Sequence, residues 1–497
     1  NYLERIFMEK ALWADLQFFD SPEFYNKFQN ARMNSQAAVS VIWNIINAAS
    51  AAVTLVTTFL LISGANVFFG FILIAAVIPS TIAERKYTKL LYHWDLKHVK
   101  EQRQMSYLSR VASEREHAQD IRLFHIGDDL KARYIRIWET YFKDRKKILK
   151  KRTLISLIFT ILPEFCMVAM LTWIAFSVAS GQRTIGDFTL YQGLLSQLSS
   201  AVFMMVTYII SIYDNKLRIE NMRDFLKIEN TVPNAGSKEL KTVKTIEFRN
   251  VSFTYPGTEK RVLDGLSFRI SNCEKLAIVG INGAGKTTLI KLILRFYEPD
   301  TGQILINGIA AQEYTLISLH RCFSSFFQNA SNFAFTLREN ISISDLEKAG
   351  DDVKVKRALE LSGADDLLDT LPEGLDTNLT RAFEENGVEL SGGQYQKIAL
   401  ARTFYRDSCV ILLDEPSSAL DPEAEFYLFK KLEKLCDKKM TIFTSHRLSN
   451  IFMADKIVLI ENGQALEYGT HEELIEKNGR YAQLYRYQAD KFVHNGK

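Results

Sequence analysis

From Met33 to Ala83 the chain carries no Asp, Glu, Lys, Arg or His. A helix crossing a bilayer needs roughly 20 apolar residues. A run this long, broken near its middle by "SGAN" (Ser63 to Asn66), therefore predicts two spans joined by a tight turn. A second pair follows: Leu154 to Ser180 is uncharged apart from Glu164, Phe188 to Tyr213 is uncharged throughout, and "GQRTIGD" separates them. Buried hairpins of a water-soluble protein are the alternative, and they fit poorly because a soluble helix keeps a charged face. The expected spans are 38–62, 67–83, 154–178 and 188–213. The first residue is Asn1 and no signal segment follows it, so a fragment is expected and the span count is a minimum.

The loops orient these helices. Glu84 to Thr153 holds 19 Lys and Arg against 10 Asp and Glu, whereas the two short turns carry only Arg183 and Asp187. Positive loops stay on the cytoplasmic side, which puts 84–153, the first 32 residues and everything after Tyr213 in the cytoplasm. The 84–153 segment is helix-friendly, with one clear breaker at "HIGDD" (His125 to Asp129) and with aromatic and aliphatic residues threaded through it. At about 1.5 Å per residue, helices running out and back reach roughly 50 Å from the bilayer. Such an arm can touch a cytoplasmic domain.

The 497 residues, 47% of them hydrophobic, allow two or three domains. The linker "ENTVPNAGSKEL" marks the change of character, and the expected division is a membrane domain at 1–231, a linker at 232–241 and a second domain at 242–497. Beyond the linker, β-type runs alternate with helical runs, which predicts an α/β sheet. A net charge of +3 gives no nucleic-acid footprint. Cys166, Cys273, Cys322, Cys409 and Cys436 are scattered without CxxC spacing, so reduced thiols are expected.

"EKLAIVGINGAGKTTLIKLIL" reads as a buried strand, a glycine-rich loop and a helix, the context that a GxxxxGK[ST] motif requires. The loop Gly280 to Thr288, with Asn282, Gly283 and Gly285 inside it, offers backbone amides and a helix N-terminus to phosphates. Lys286 adds a positive charge for the β- and γ-phosphates, and the Thr287 hydroxyl suits Mg2+. Further on, "CVILLDEPSSALD" is an apolar strand ending in two carboxylates: Asp414 for the Mg2+ shell and Glu415 toward the attacking water. "MTIFTSH" ends in His446, which a third strand can deliver to the same sheet edge; a surface histidine is the plain alternative. Gln328, ending "CFSSFFQ", can touch both metal and water, or be an ordinary loop residue. Tyr255, in "FRNVSFTYPG", can stack on adenine, or be a core tyrosine.

Tyr255, the 280–288 loop, Gln328, "LSGGQ" (390–394), "ILLDE" (411–415), "SALD" (418–421) and His446 follow one another as in an ABC transporter nucleotide-binding domain. With a membrane region ahead of that domain, the whole chain resembles a bacterial ABC exporter half-transporter. The implied fold is multidomain, an all-α transmembrane helical domain followed by an α/β P-loop NTPase domain. The resemblance implies six membrane helices, the four visible ones being the third to sixth. It also implies two coupling elements, "ALWADLQFFDSPEFYNKFQNAR" and "ASEREHAQDIRLFHIGDD". Ser391, Gly392, Gly393 and Gln394 would bind the γ-phosphate held by a second half-transporter. A homodimer is favoured and a heterodimer possible, since Glu415, His446 and LSGGQ are all intact. Three positions depart from the pattern: "TRAFEENG" replaces TxVGExG while keeping Glu385 and Gly387, Tyr395-Gln396-Lys397 stands where RQR is common, and Asn282 where Ser is frequent.

The expected function is ATP-driven export of a substrate across the bacterial cytoplasmic membrane, with ATP and Mg2+ as cofactors. The partners would be a second subunit, membrane lipid and an unidentified substrate, with no nucleic acid. The alternative is an ATP-gated channel or regulator that does not pump. Peptide, lipid and drug cargo all fit. Ser40, Asn44 and Asn47 share a helical face and can line a substrate path or bond between helices, and Glu164 is a carboxylate within a span.

Overall fold

The computed structural model describes residues 2–20, 24, 27–28, 31, 35–64, 66–230, 232, 236–417, 422–435, 439–446, 451 and 453–494. Two compact units emerge: Asn1–Leu12 with Asn26–Ile228, and Trp13–Tyr25 with Glu229–Lys497. The motif at 418–421 and Cys436 lie outside the described residues.

The first unit is helical. Among the described residues, four of its helices, Ala37–Ser63, Val67–Lys97, Gly127–Ala179 and Ile185–Leu226, contain stretches long and apolar enough to cross a membrane. Each expected span lies inside one of them, and the last three helices continue well past the apolar stretch into charged sequence. The turns are built as their residues dictate. Asn66 caps the second helix by accepting from the Phe68 amide, and Thr184 and Asp187 form a reciprocal capping box at the fourth. The first long helix packs chiefly along the fourth and the second along the third. Their buried cluster, including Ile62, Phe69, Leu73, Ile174, Leu195 and Leu198, gathers beside the two short turns. The charged arm breaks at more places than "HIGDD". The helix is also interrupted at His98 (φ −108, ψ 25) and at Glu114 (ψ 143), so the arm holds short helices at Val99–Ser113 and Arg115–Leu123. Neither break carries Gly or Pro, which is why the sequence hides them.

Asn44 donates to Ser211 Oγ at 2.8 Å, tying the first long helix to the fourth, so for this asparagine the interhelical role holds. Glu164 is exposed beside the buried, helix-embedded Pro163.

The second unit contains a six-stranded sheet in the order β10-β9-β3-β8-β7-β6. Strands β3 (Lys275–Val279), β6 (Phe323–Phe326), β7 (Val410–Asp414), β8 (Met440–Ser445) and β9 (Lys456–Glu461) are all parallel, β6 forming one edge and the antiparallel β10 (Gln464–Gly469) the other. A separate antiparallel sheet, β2-β1-β4-β5, uses β1 (Thr245–Thr254), β2 (Arg261–Ser271), β4 (Thr301–Ile306) and β5 (Ile309–Ala310). The sequence reading expects an α/β sheet and does not separate out this second one. Strand β2 alternates buried and exposed residues, as an antiparallel sheet with one wet face should, and the helix Lys286–Ile293 is buried in the core it shares with β3. A third cluster, with Leu337, Leu359, Ile398 and Tyr405, roots the helix Gly392–Tyr405 in a helical layer.

Candidate functional site

β3, β7 and β8 are neighbours in one parallel sheet, so their C-terminal ends open on one edge. The loop after β3 turns into the Lys286–Ile293 helix through Gly283 (φ 80) and Gly285 (φ 103). Gly285 disfavours a side chain on two counts, its left-handed backbone and a Cβ position 2.7 Å from Leu263 Cδ2. Asn282 and Gly283 are exposed at the crest of the loop, while Gly280 is buried against the Ile460 carbonyl.

Lys286 is 6% exposed, a burial that an ammonium tolerates only when paired. Its Nζ donates to Gly280 O at 3.0 Å and lies 3.5 Å from Glu415 Oε1. The other carboxylate oxygen, Oε2, lies 3.5 Å from His446 Nδ1. Glu415 has left-handed backbone (φ 50), and its amide donates to Thr444 Oγ1 at 2.9 Å. The Thr444 hydroxyl in turn donates to Asp414 Oδ1 at 2.8 Å, and the Thr287 hydroxyl donates to Asp414 Oδ2 at the same distance. Burial, and to a lesser degree the neighbouring Glu415 charge, hold the Asp414 carboxyl above the usual carboxylate range, against the pull of the two hydroxyls.

That shift has a sign. An acid whose pKa rises on folding costs stability when ionised, and the cost is relieved as pH falls through the folded value. Asp414→Asn fixes the neutral form at every pH, and both threonine hydroxyls can rotate to suit an amide. Its melting temperature without nucleotide should equal or exceed the wild-type value by roughly 2–4 °C per kcal/mol recovered, the gap narrowing in acid. The same variant should lose the stabilisation given by Mg2+-ATP. Scanning fluorimetry across pH, with and without nucleotide, checks both, and a large loss of stability without nucleotide would contradict the charge-burial account.

Thr287 and Asp414 offer hard oxygen donors side by side, a set that fits Mg2+. Among the described residues no group of three or more His, Cys, Asp or Glu could hold a metal ion. The shell would therefore be completed by phosphate oxygens and water, as is usual for Mg2+.

Tyr255 is half-buried and its hydroxyl bonds to Thr288 Oγ1 at 3.0 Å, so the aromatic side chain is tied to the first turn after the loop. Its ring stands edge-on to Tyr297 at 5.3 Å, and Lys291 Nζ lies 5.3 Å from its centroid. Gln328 is exposed on the loop after β6. It lines a hollow of about 350 Å³ with Gly392, Tyr395 and Gln396. Ser391 caps the Gly392–Tyr405 helix: its Oγ accepts from the Gln394 amide at 3.3 Å, and Gln394 Oε1 accepts from the Ser391 amide at 2.8 Å. The Gln394 side chain is thus spent on the cap, and Gly392 and Gly393 stand in the open first turn, where amides have no helical partner.

Sequence reasoning missed Thr444 and Gln396. Each left a signal, a polar residue in a buried setting that must find a partner. Gln396 Nε2 donates to Pro416 O at 2.9 Å, joining the signature helix to the residue after Glu415. The segment before the signature departs from the common pattern yet is well held: the Arg381 guanidinium donates to Gly387 O at 2.9 Å, and Gly387 packs on the Thr380 carbonyl too closely for any side chain.

Residues 263–418 match the family model described as "ABC transporter". The subtilin transport ATP-binding protein SpaT of Bacillus subtilis is 31% identical over 481 residues, 96% of this chain and 78% of that protein. An ATP-dependent lipid A-core flippase of Pseudomonas fluorescens (strain Pf0-1) is 37% identical over 305 residues, 61% of this chain and 50% of the flippase. Among solved structures, a bacterial Atm1-family ABC exporter with ATP bound superposes with a TM-score of 0.85 at 24% identity, over 98% of this chain and 85% of the exporter chain, a likeness of fold. With a helical membrane domain ahead of a nucleotide-binding domain, this chain belongs to the ABC transporter family, as an exporter half-transporter whose ATPase drives transport.

Proposed function

We propose that two such chains, most simply two copies of this one, enclose each ATP between the 280–288 loop of one subunit and Ser391, Gly392 and Gly393 of the other. The observation that carries this reading is the carboxylate of Glu415, poised between Lys286 and His446 at 3.5 Å from each. On nucleotide binding the γ-phosphate would take over Lys286 Nζ, freeing Glu415 to orient and polarise the attacking water, with His446 placed to stabilise charge on the phosphate. Thr287, Asp414 and, from its loop, Gln328 would hold Mg2+, which supplies charge neutralisation at the β- and γ-phosphates. Tyr255 would carry the adenine, and Gln394 would act by holding the signature cap. ATP favours the closed pair only as far as it binds that state more tightly, and hydrolysis reopens it.

On this reading the chain divides into a membrane domain at 1–231, a linker at 232–241 and a nucleotide-binding domain at 242–497. The long charged helical extensions and the nucleotide-binding domain would lie in the cytoplasm, on the positive-inside asymmetry of the loops. Relatives named for subtilin and for lipid A-core make peptide and lipid cargo equally open.

Tyr255→Ala should raise the KM for ATP by a factor equivalent to about 1–3 kcal/mol of stacking, with Tyr255→Phe close to wild type. Equal KM values for all three proteins would remove the adenine role. Export itself is tested in proteoliposomes loaded with ATP outside: accumulation of cargo against its gradient is expected. Equilibration alone, without accumulation, would favour the channel reading.

A further inference from the structure

The membrane unit contains a cavity of about 520 Å³ where its helices pass from apolar to charged sequence. Glu84 is the first charge after the run that ends at Ala83, Arg152 is the last before the run that begins at Leu154, and Asp214 is the first after Tyr213. All three line this one cavity, so it sits at the level of the cytoplasmic membrane boundary.

Its charges balance. Glu84 pairs with Arg152, Asp95 Oδ1 lies 3.4 Å from Arg145 Nε, and Asp214 Oδ2 lies 3.2 Å from Arg218 Nε. The pairs are incompletely satisfied. Arg145 Nε is buried without a hydrogen bond, while Asp95 accepts from the Tyr141 hydroxyl at 3.3 Å. The Arg145–Asp95 contact is thus an ion pair without a hydrogen bond at Nε, so a ligand anion drawn to this arginine displaces no hydrogen bond there. Serine and threonine side chains of the same helices complete the polar wall.

Toward the membrane the cavity adjoins a second hollow of about 380 Å³, lined by Leu55, Val56, Ile78 and other aliphatic side chains. Thr81 and Val206 line both. Polar and charged at one end, aliphatic at the other, the two together follow the polarity gradient of a lipid monolayer.

We infer that this double cavity binds an amphiphile with a zwitterionic head group, held by exchange of partners among the three ion pairs, with its hydrocarbon tail in the aliphatic hollow. A head group bearing one sign of charge would satisfy three of the six ionic groups and face the other three as like charges. A zwitterion gives its anion to an arginine and its cation to the carboxylate that the arginine releases, so no charge is left unpaired. The inference rests on the transport reading for its meaning, the amphiphile being cargo or a cargo mimic, and on the cavity alone for its chemistry.

The test uses this chain in phosphatidylglycerol nanodiscs, which carry no choline or amine head group. Radiolabelled octylphosphocholine is bound below its micelle-forming concentration, with empty discs subtracted, and competed with octyl sulfate and with octyltrimethylammonium, which share its tail. Octylphosphocholine should compete at a concentration about tenfold lower than either singly charged compound. Arg145→Gln, which leaves Asp95 without its arginine, should weaken its binding about tenfold, the equivalent of one charged hydrogen bond. The double variant Glu84→Gln with Arg152→Gln keeps the net charge and should weaken it as well. Equal competition by the three octyl compounds on the unmodified chain would overturn the inference without recourse to any variant, as would binding indifferent to both variants. ATP hydrolysis is measured on the same discs. Normal hydrolysis with no preference for the zwitterion sinks the cavity site alone, whereas zwitterion binding without hydrolysis sinks the transport reading alone.

Discussion

Glu415→Gln should leave ATP binding intact and lower hydrolysis by about 10²–10⁴-fold, the span expected for loss of a positioned general base. The substitution keeps the shape and volume of a side chain that is packed between Lys286 and His446, and the Thr444 bond to its backbone amide is untouched. What it removes is the charge that accepts the proton and draws the water. Binding of a fluorescent ATP analogue and single-turnover hydrolysis separate the two properties. Because Lys286 loses a competing carboxylate, nucleotide affinity should be unchanged or higher. Turnover within a few-fold of wild type would move the role of base away from Glu415.

The second large effect comes from Gly392→Asp, and it bears on how the two chains combine. A Cβ at Gly392 meets nothing within 4 Å, so the side chain fits. An aspartate in the first turn suits the positive end of the Gly392–Tyr405 helix, which favours folding. The same carboxylate would meet the γ-phosphate of the partner's ATP as a like charge, and turnover should fall by about 10²–10³-fold, as when a comparable anion-stabilising group is lost. Lys286→Ala should be equally inactive. Mixed with each other, the two inactive chains should regain activity, because a mixed pair contains one site with its lysine and its glycine both intact. Random pairing of equal amounts should restore about a quarter of the wild-type rate if the two sites work independently in a symmetric dimer. A site completed within one chain would give no recovery at all.

The features that were legible in the sequence are those enforced by local physics. An uncharged run long enough to span a bilayer has few ways to fold, and the four helices carry the expected spans within them. Likewise Gly283 and Gly285 sit at positive φ in the loop that the motif predicted, and Lys286 opens the helix after it. The arm was read too simply, since the breaks at His98 and Glu114 carry no residue that forces them. Tyr255 was readable as an aromatic after a strand, but its tether to Thr288 and its place beside Tyr297 and Lys291 were not.

The sequence by itself determined the order of the parts, the bilayer-spanning length of the helices and the residue types that phosphate and Mg2+ require, because these follow from periodicity, charge and backbone freedom within short stretches. Only the tertiary structure decided that Thr444 ties Asp414 and Glu415 together and that Gln396 links the signature helix to the strand end beside them. It alone also brought Glu84, Arg145 and Asp214 to one cavity. These contacts join residues far apart in the chain. Their pairing is set by strand register and helix packing, which depend on the whole core and leave no mark in any single window of sequence.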